Sequence, residues 1–312
     1  MDLGHDLSQS MAHAADYAGE LSFARRRYSR ELDGVDVAIV GIPFDAGTVN
    51  RPGARFGPRA IREQTSLVGC YPWGIYPWSF NVFDRLEVID YSDIAFTPAY
   101  PDRMVDGVTR TIGSILGADV SVLSLGGDHM IAYPLLRAHA AKYGPLALVH
   151  FDAHSDTWGM GDDLNHGTWG YLAARQGLVD VSHSIQVGMR TPNPETHGYT
   201  VIDANPLLTS PLEATVERIR GVVGQRPVYL TFDIDFIDPA FAPGTGTPVC
   251  GGPTTQQARS LLHGLAGIEL IGADLVEVAP IYDPSGVTAL TGATIAFDLL
   301  SLIASSPRFA GP

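Results

Sequence analysis

Seven short runs of β-branched and apolar residues punctuate the chain, at 35–42, 86–94, 120–127, 146–154, 184–190, 227–236 and 269–278. Between them lie segments with apolar positions every three or four residues, at 102–117, 130–143, 212–223 and 254–266, and a last, almost wholly apolar one at 288–304. Strands apolar on both faces that alternate with helices predict an α/β fold, with a parallel sheet covered on both sides. Residues 1–34 lack this rhythm and carry a basic knot, Arg25–Arg27, so they read as an N-terminal arm. No linker, repeat or break in composition interrupts 35–312, which reads as one domain. In such folds ligands gather outside the carboxyl ends of the strands, so polar residues there matter most.

Composition narrows the partners. With 312 residues and 45% hydrophobic content the chain can bury a large core, which excludes global disorder. The 34 acidic residues outnumber 20 basic ones, for a formal charge of −14. A chain this acidic lacks the basic face that binds nucleic acid, and it favours a small cationic substrate. The lone lysine, Lys142, sits in AHAAKYGP without a phosphate-binding glycine loop, which argues against P-loop and Schiff-base chemistry. Two cysteines, Cys70 and Cys250, cannot build a disulfide framework and read as cytosolic thiols. The N-terminus lacks the pattern of a signal peptide, and no apolar run reads as long enough to span a bilayer. A cytoplasmic protein with no membrane partner is expected.

The chemistry concentrates at strand ends. Gly126-Gly127-Asp128-His129 follows the third run, and Asp152-Ala153-His154-Ser155-Asp156 the fourth; Asp233-Ile234-Asp235 and Glu277 end the last two. Strand alternation would aim Asp152, His154 and Asp156 to one face, opposite Asp233 and Asp235. Four carboxylates packed together at the end of an apolar strand are costly unless cations neutralise them. Two imidazoles (His129, His154) and four carboxylates (Asp152, Asp156, Asp233, Asp235) are too many donors for one tetrahedral zinc. They suit two octahedral, oxygen-preferring ions, with manganese the natural candidate. Two such ions roughly 3.5 Å apart can share and activate one water.

On these residues the sequence resembles the ureohydrolases, the arginase and agmatinase group of binuclear manganese amidinohydrolases. The likeness runs from about 37 to 303 and is carried by GGDH (126–129), DAHSD (152–156), His166-Gly167, TFDIDFIDPAFAPGTGTPVCGG (231–252), Glu277, GIPFDAG (41–47) and RPGARFGPRAIR (51–62). The resemblance implies a three-layer α/β/α fold with a mostly parallel eight-stranded sheet, two Mn²⁺ per subunit, and a homo-oligomer, trimer or hexamer. It implies that His129 and Asp156 hold one ion and His154 and Asp235 the other, with Asp152 and Asp233 bridging. It further implies that Asp156 relays the proton of the attacking water to the leaving amine, that Glu277 pairs with the guanidinium and that His166 shuttles protons to solvent. The reaction implied is hydrolysis of a guanidino group to urea and a primary amine.

For the substrate's tail, Trp158 stands where arginases carry the asparagine that holds the arginine carboxylate, which disfavours arginine. Trp158 and Met160 are expected to narrow the pocket mouth, and Arg190 and Asn193 are candidate contacts for a carboxylated tail. The likeness points to guanidinoproclavaminate, in clavulanic acid biosynthesis, as substrate, with agmatine or another guanidino acid as the alternative. The aromatic segment 70–78 reads as a pocket rim or a subunit contact. A single-zinc deacetylase would use fewer ligands, and a catalytically silent guanidino-binding or assembly protein would have lost one, whereas none is lost here. Asp128 is expected to support the ligands rather than join them, His150 to pack deeper along its strand, and Cys250 to be a structural thiol; Asp238, His139 and His263 read as structural.

Overall fold

In the computed structural model, which describes residues 19–69, 74–97, 100–159 and 163–309, alternate residues of the first strand, β1 (Val37–Ile42), part to opposite sides. Val37 and Ile39 enter one apolar cluster, while Ala38, Val40 and Ile42 enter another. All six are buried, because helices cover both faces. The remaining strands are β2 (Val88–Asp93), β3 (Ser121–Gly126), β4 (Ala147–Phe151), β5 (Ile185–Met189), β6 (Thr200–Asp203), β7 (Val228–Asp233) and β8 (Leu270–Val276). They form one all-parallel sheet in the order β2-β1-β3-β8-β7-β4-β5-β6. Seven correspond to the predicted runs. The eighth, β6, is a four-residue, half-exposed edge strand whose only apolar side chains are Val201 and Ile202, too short a run to stand out.

One face is covered by α1 (Gly57–Val68), α6 (Leu212–Val223), α7 (Thr255–Gly264) and α8 (Val287–Ala304), through Ile61, Ile219, Leu261 and Leu299 among others. The other is covered by α2 (Pro101–Gly117), α3 (Ala132–Tyr143) and α4 (Trp169–Arg175), through Ile112, Leu135 and Leu172. A short α5 (Ala204–Thr209) follows β6. Contrary to the expectation from sequence, α8 is long and apolar enough to cross a membrane; it is instead a core helix, buried along nearly its whole length between the sheet and its neighbours.

The described part of the N-terminal segment packs into the domain. Phe23 is fully buried, and Tyr28 bridges in parallel to Asp90 at the outer edge of β2. Residues 1–18, Cys70–Trp73 of the aromatic segment and Met160 lie outside the described residues. Of the rest of that segment, Tyr76 is exposed, whereas Trp78 is buried and donates its indole N–H to Asp298 at 2.8 Å.

Candidate metal centre

The site lies at the carboxyl ends of the four central strands, β3, β8, β7 and β4, and local turn chemistry shapes it. After β3 the chain must pass Phe44, where a Cβ on Gly127 would meet the Phe44 carbonyl oxygen at 1.7 Å, so only glycine fits. Asp128 then caps the turn bearing His129, its Oδ1 accepting the Met130 N–H at 3.1 Å and its Oδ2 the Gly47 N–H at 2.7 Å. Beyond β4, Asp152 accepts the His154 N–H at 2.6 Å, and at the end of β7 Asp233 accepts the Asp235 N–H at 2.7 Å. The carboxylates therefore converge through two side-chain-capped turns beyond the strands, not through strand alternation as the i, i+2, i+4 spacing predicts. Asp156 (φ +50°) and Glu277 (φ +64°) adopt left-handed backbone that non-glycine residues avoid, a conformation the surrounding structure has to impose.

These turns bring all six predicted ligands together. The Nδ1 of His129 lies 3.0 Å from Asp152 Oδ2, 3.0 Å from Asp156 Oδ2 and 3.2 Å from Asp233 Oδ2, yet it has no hydrogen-bond partner. The Nδ1 of His154 lies 3.0 Å from Asp235 Oδ2 and 3.4 Å from Asp152 Oδ1. Asp152 thus turns one oxygen to each group, as a bridging carboxylate does. Asp233, expected to bridge as well, offers Oδ2 to the His129 group, while its Oδ1 caps the Asp235 N–H and, among the described residues, meets no second imidazole.

Two donors bound at right angles, each ~2.1 Å from an ion, are about 3.0 Å apart. The spacing around His129 matches that figure, and an orphaned, fully buried imidazole nitrogen facing three carboxylate oxygens fits a metal. Electrostatics agree. Burial opposes a charge on His154, but Asp235 and Asp152 outweigh it and push its pKa up to about 12. Burial and the neighbouring Asp235 and Asp152 raise the Asp233 carboxyl well above its ordinary range. Protons here occupy the place that the charge of a cation would take.

Glu277 stands beside this cluster. Its Oε1 accepts the His129 backbone N–H at 3.0 Å and pairs with His166 Nδ1 at 2.9 Å; its Oε2 is buried without a partner. His166 is itself buried, and its Nε2 lies 3.1 Å from the Val49 N–H. Burial lowers the His166 pKa, and the Glu277 contact outweighs it, for a value raised to about 9. The two contacts pull in opposite directions: Glu277 favours the imidazolium, whereas only the neutral ring can accept from Val49. Both ring nitrogens are engaged, so relay to solvent requires the exposed Val49 segment to release Nε2.

The predicted tail contacts fare differently. Trp158 stands at the site, its ring 6.3 Å from that of His154, and is set against Gly167, where a Cβ would come within 2.9 Å of the indole. Arg190 is not available to a carboxylate: its guanidinium donates to the carbonyls of Val249, Gly188, Phe236 and Asp235 and so ties three loops together. Asn193 donates to the Ser155 and Thr157 hydroxyls, at 2.5 and 2.9 Å, and braces the loop that carries Asp156. Cys250 is exposed rather than structural. His150 does lie deeper along β4, with Nε2 2.8 Å from Asp152 Oδ2.

One residue escaped sequence reasoning altogether. Trp169, fully buried at the start of α4, donates its indole N–H to Asp156 Oδ2 at 2.7 Å and lays its ring 4.7 Å from His129. Nothing in the local pattern distinguishes it from a core tryptophan.

A parallel sheet of this order with a histidine–aspartate cluster at its carboxyl edge defines a class of metal-dependent hydrolases. The chain belongs to the arginase family, whose pattern it matches over residues 35–301. It is 48% identical to an agmatinase of Chromobacterium violaceum, over 92% of this chain and 89% of that protein. Among solved structures it is similar to a hypothetical agmatinase from Burkholderia thailandensis, with TM-score 0.90, 52% identity and coverage of 93% of this chain and 92% of that one. It is also similar to the proclavaminate amidinohydrolase of Streptomyces clavuligerus, with TM-score 0.88, 38% identity and coverage of 94% and 99%. The fold and the hydrolase class expected from sequence therefore stand. The higher identities belong to proteins named agmatinases, which moves the substrate reading away from the β-lactam compound.

Proposed function

We propose that this chain is an agmatinase, a binuclear manganese amidinohydrolase that converts agmatine and water to putrescine and urea. The observation that carries the reading is Glu277 Oε2, a buried carboxylate oxygen without a donor beside the His/Asp cluster. A guanidinium supplies two N–H donors and a positive charge to such a group. The tail reading rests on the cations near the mouth: Arg190 is engaged by carbonyls, and Arg51 donates to the Thr245 and Gly246 carbonyls while lying over the Tyr282 ring. A substrate without a carboxylate needs neither.

His129, Asp152, Asp156 and Asp233 would hold one ion, and His154, Asp235 and the other oxygen of Asp152 the second. When bound, the ions supply a water activated for attack on the guanidinium carbon. Asp156 takes the proton of that water at its carboxylate and returns it to the leaving nitrogen; Trp169 holds Asp156 in place. Glu277 orients the guanidinium, and His166 exchanges protons with solvent at Nε2 once the Val49 segment releases it. Trp158 borders the tail, its aromatic ring favouring a cationic end over an anionic one. Residues 35–312 form the catalytic unit, against which the 19–34 stretch packs, in a cytoplasmic homotrimer or homohexamer.

A urea-release panel of agmatine, arginine, 4-guanidinobutyrate and guanidinoproclavaminate, run on protein loaded with manganese, tests the reading. Agmatine is expected to be the best substrate by kcat/KM. A higher value for arginine or for the β-lactam compound overturns it.

A further inference from the structure

The buried polar residues beneath the ligands are arranged in a line. Ser124 of β3 pairs with Asp274 of β8, Asp274 with Thr231 of β7, Thr231 with His150 of β4, and His150 with Gln186 of β5. Registered neighbours in a parallel sheet point to the same face, here the one covered by α2, α3 and α4. A row of five polar residues crosses the middle of an otherwise apolar sheet, one pleat below Asp152 and Asp233. All five are buried.

Two links of the row, Asp274 to Thr231 and His150 to Gln186, are hydrogen bonds whose direction can be followed. Tyr229 donates to Asp274 Oδ2 at 2.7 Å, and Thr231 Oγ1 donates to Asp274 Oδ1 at 2.5 Å. With its only proton given to Asp274, Thr231 Oγ1 must accept from its other neighbour, His129 Nε2, at 2.8 Å. His129 therefore carries its proton on Nε2, and Nδ1 presents a lone pair to the three carboxylate oxygens around it. On the other side, the Gln186 amide donates to His150 Nδ1 at 3.1 Å, so His150 carries its proton on Nε2 and gives it to Asp152 Oδ2 at 2.8 Å.

We propose that Asp274 is a positioning residue for metal binding, which acts through Thr231 to fix His129 in the one tautomer and orientation able to ligate an ion. The proposal rests on the metal reading of the site. A carboxylate behind a ligating imidazole holds its ring and raises its basicity, and loss of such support typically costs about 10–100-fold in metal affinity. Asp274 differs from an ordinary buried acid in two ways: it lies inside an apolar strand with no Lys or Arg paired to it among the described residues, and both its oxygens accept from hydroxyls. Its effect is expected at the His129 group, because the hydrogen bonds leading from Asp274 through Thr231 reach His129 and, among the described residues, not His154.

The test is Mn²⁺ binding by the full chain, followed by titration calorimetry and by metal content after dialysis. The parent is expected to take up two ions per chain. Thr231→Val, which keeps the shape and removes the hydroxyl, should bind one ion as the parent does and the other about 10–100-fold more weakly. Thr231→Ser should restore the second ion. Asp274→Asn, with Thr231 intact, should show the same selective loss, and it carries the test if the valine variant fails to fold. Parent-like binding of both ions in the folded variants overturns the proposal. So does equal weakening of both ions, which would mark a structural role. A parent that binds fewer than two ions would sink the metal reading itself, and this inference with it.

Discussion

Two buried clusters of charged residues in this protein are built on opposite terms. At the β1/β2 edge, Arg62 reaches Asp90 with two nitrogens, at 2.7 and 2.9 Å, and Asp93 with a third at 2.6 Å. Asp90 also accepts the N–H of Phe23 and of Ser92. Donors and acceptors match, and Asp90, buried deepest, has donors on both oxygens. At the metal centre, carboxylates outnumber cationic groups, His129 Nδ1 and Glu277 Oε2 have no partner, and two residues hold left-handed backbone. Burial alone separates nothing here. A closed cluster holds the N-terminal segment onto the sheet, whereas an open one is completed from outside.

That contrast can be broken first at Asp156. Asp156→Asn keeps the shape of the site and is expected to lower kcat by about 10³-fold or more in the urea assay, with the melting temperature of the metal-free protein little changed. Closed chemistry predicts the reverse at the edge. Arg62→Ala leaves Asp90 buried and unpaired and is expected to cost about 3–5 kcal/mol in denaturant unfolding, while the folded fraction keeps its kcat. Loss of activity without loss of stability in Arg62→Ala would erase the distinction.

Glu277→Gln sharpens it further. It is expected to reduce kcat/KM by about 10²-fold and, by NMR titration, to bring the His166 pKa down from about 9 toward the usual ~6.5. The smallest effect is on stability against pH in the metal-free protein. His166 has a folded pKa above its unfolded one, so its pair with Glu277 stabilises fully below pH ~6.5, and that contribution is lost as pH rises through about 9. The melting temperatures of parent and Glu277→Gln, compared across that window, should converge at its alkaline end.

The sheet and the His/Asp cluster were legible for different reasons. Strands buried on both faces leave continuous apolar runs, and seven of eight announced themselves; β6, half-exposed, offers only Val201 and Ile202 between Thr200 and Asp203, too short a run to stand out. His129, Asp152, His154, Asp156, Asp233 and Asp235 were visible as candidates because titratable groups gathered at the ends of apolar strands are costly without a neutralising partner. The manner of their convergence was not, since spacing cannot tell an extended strand from a capped turn. Arg190 and Asn193 show the limit at the rim: a polar residue in a Pro-rich loop reads the same whether it meets a ligand or its own backbone. Trp169 and Gln186 carry the same residue types as core and helix positions elsewhere, and only proximity across the fold gives them a role. Asp274 alone left a trace, an acid inside an apolar strand.

The strand order also bears on how the chain assembles as it is made. β1–β3 and β4–β6 emerge as two separate half-sheets, and the strands that join them, β7 and β8, are synthesised last. Until they insert, β3 and β4 are both open edges, each able to pair with another chain. Closure is long-range, since β3 meets β8 across about half the length of the chain, and such pairing forms slowly. The six clustered His and Asp residues are divided among the two half-sheets and the late strands, so a complete cluster exists only after the last gap in the sheet has been filled.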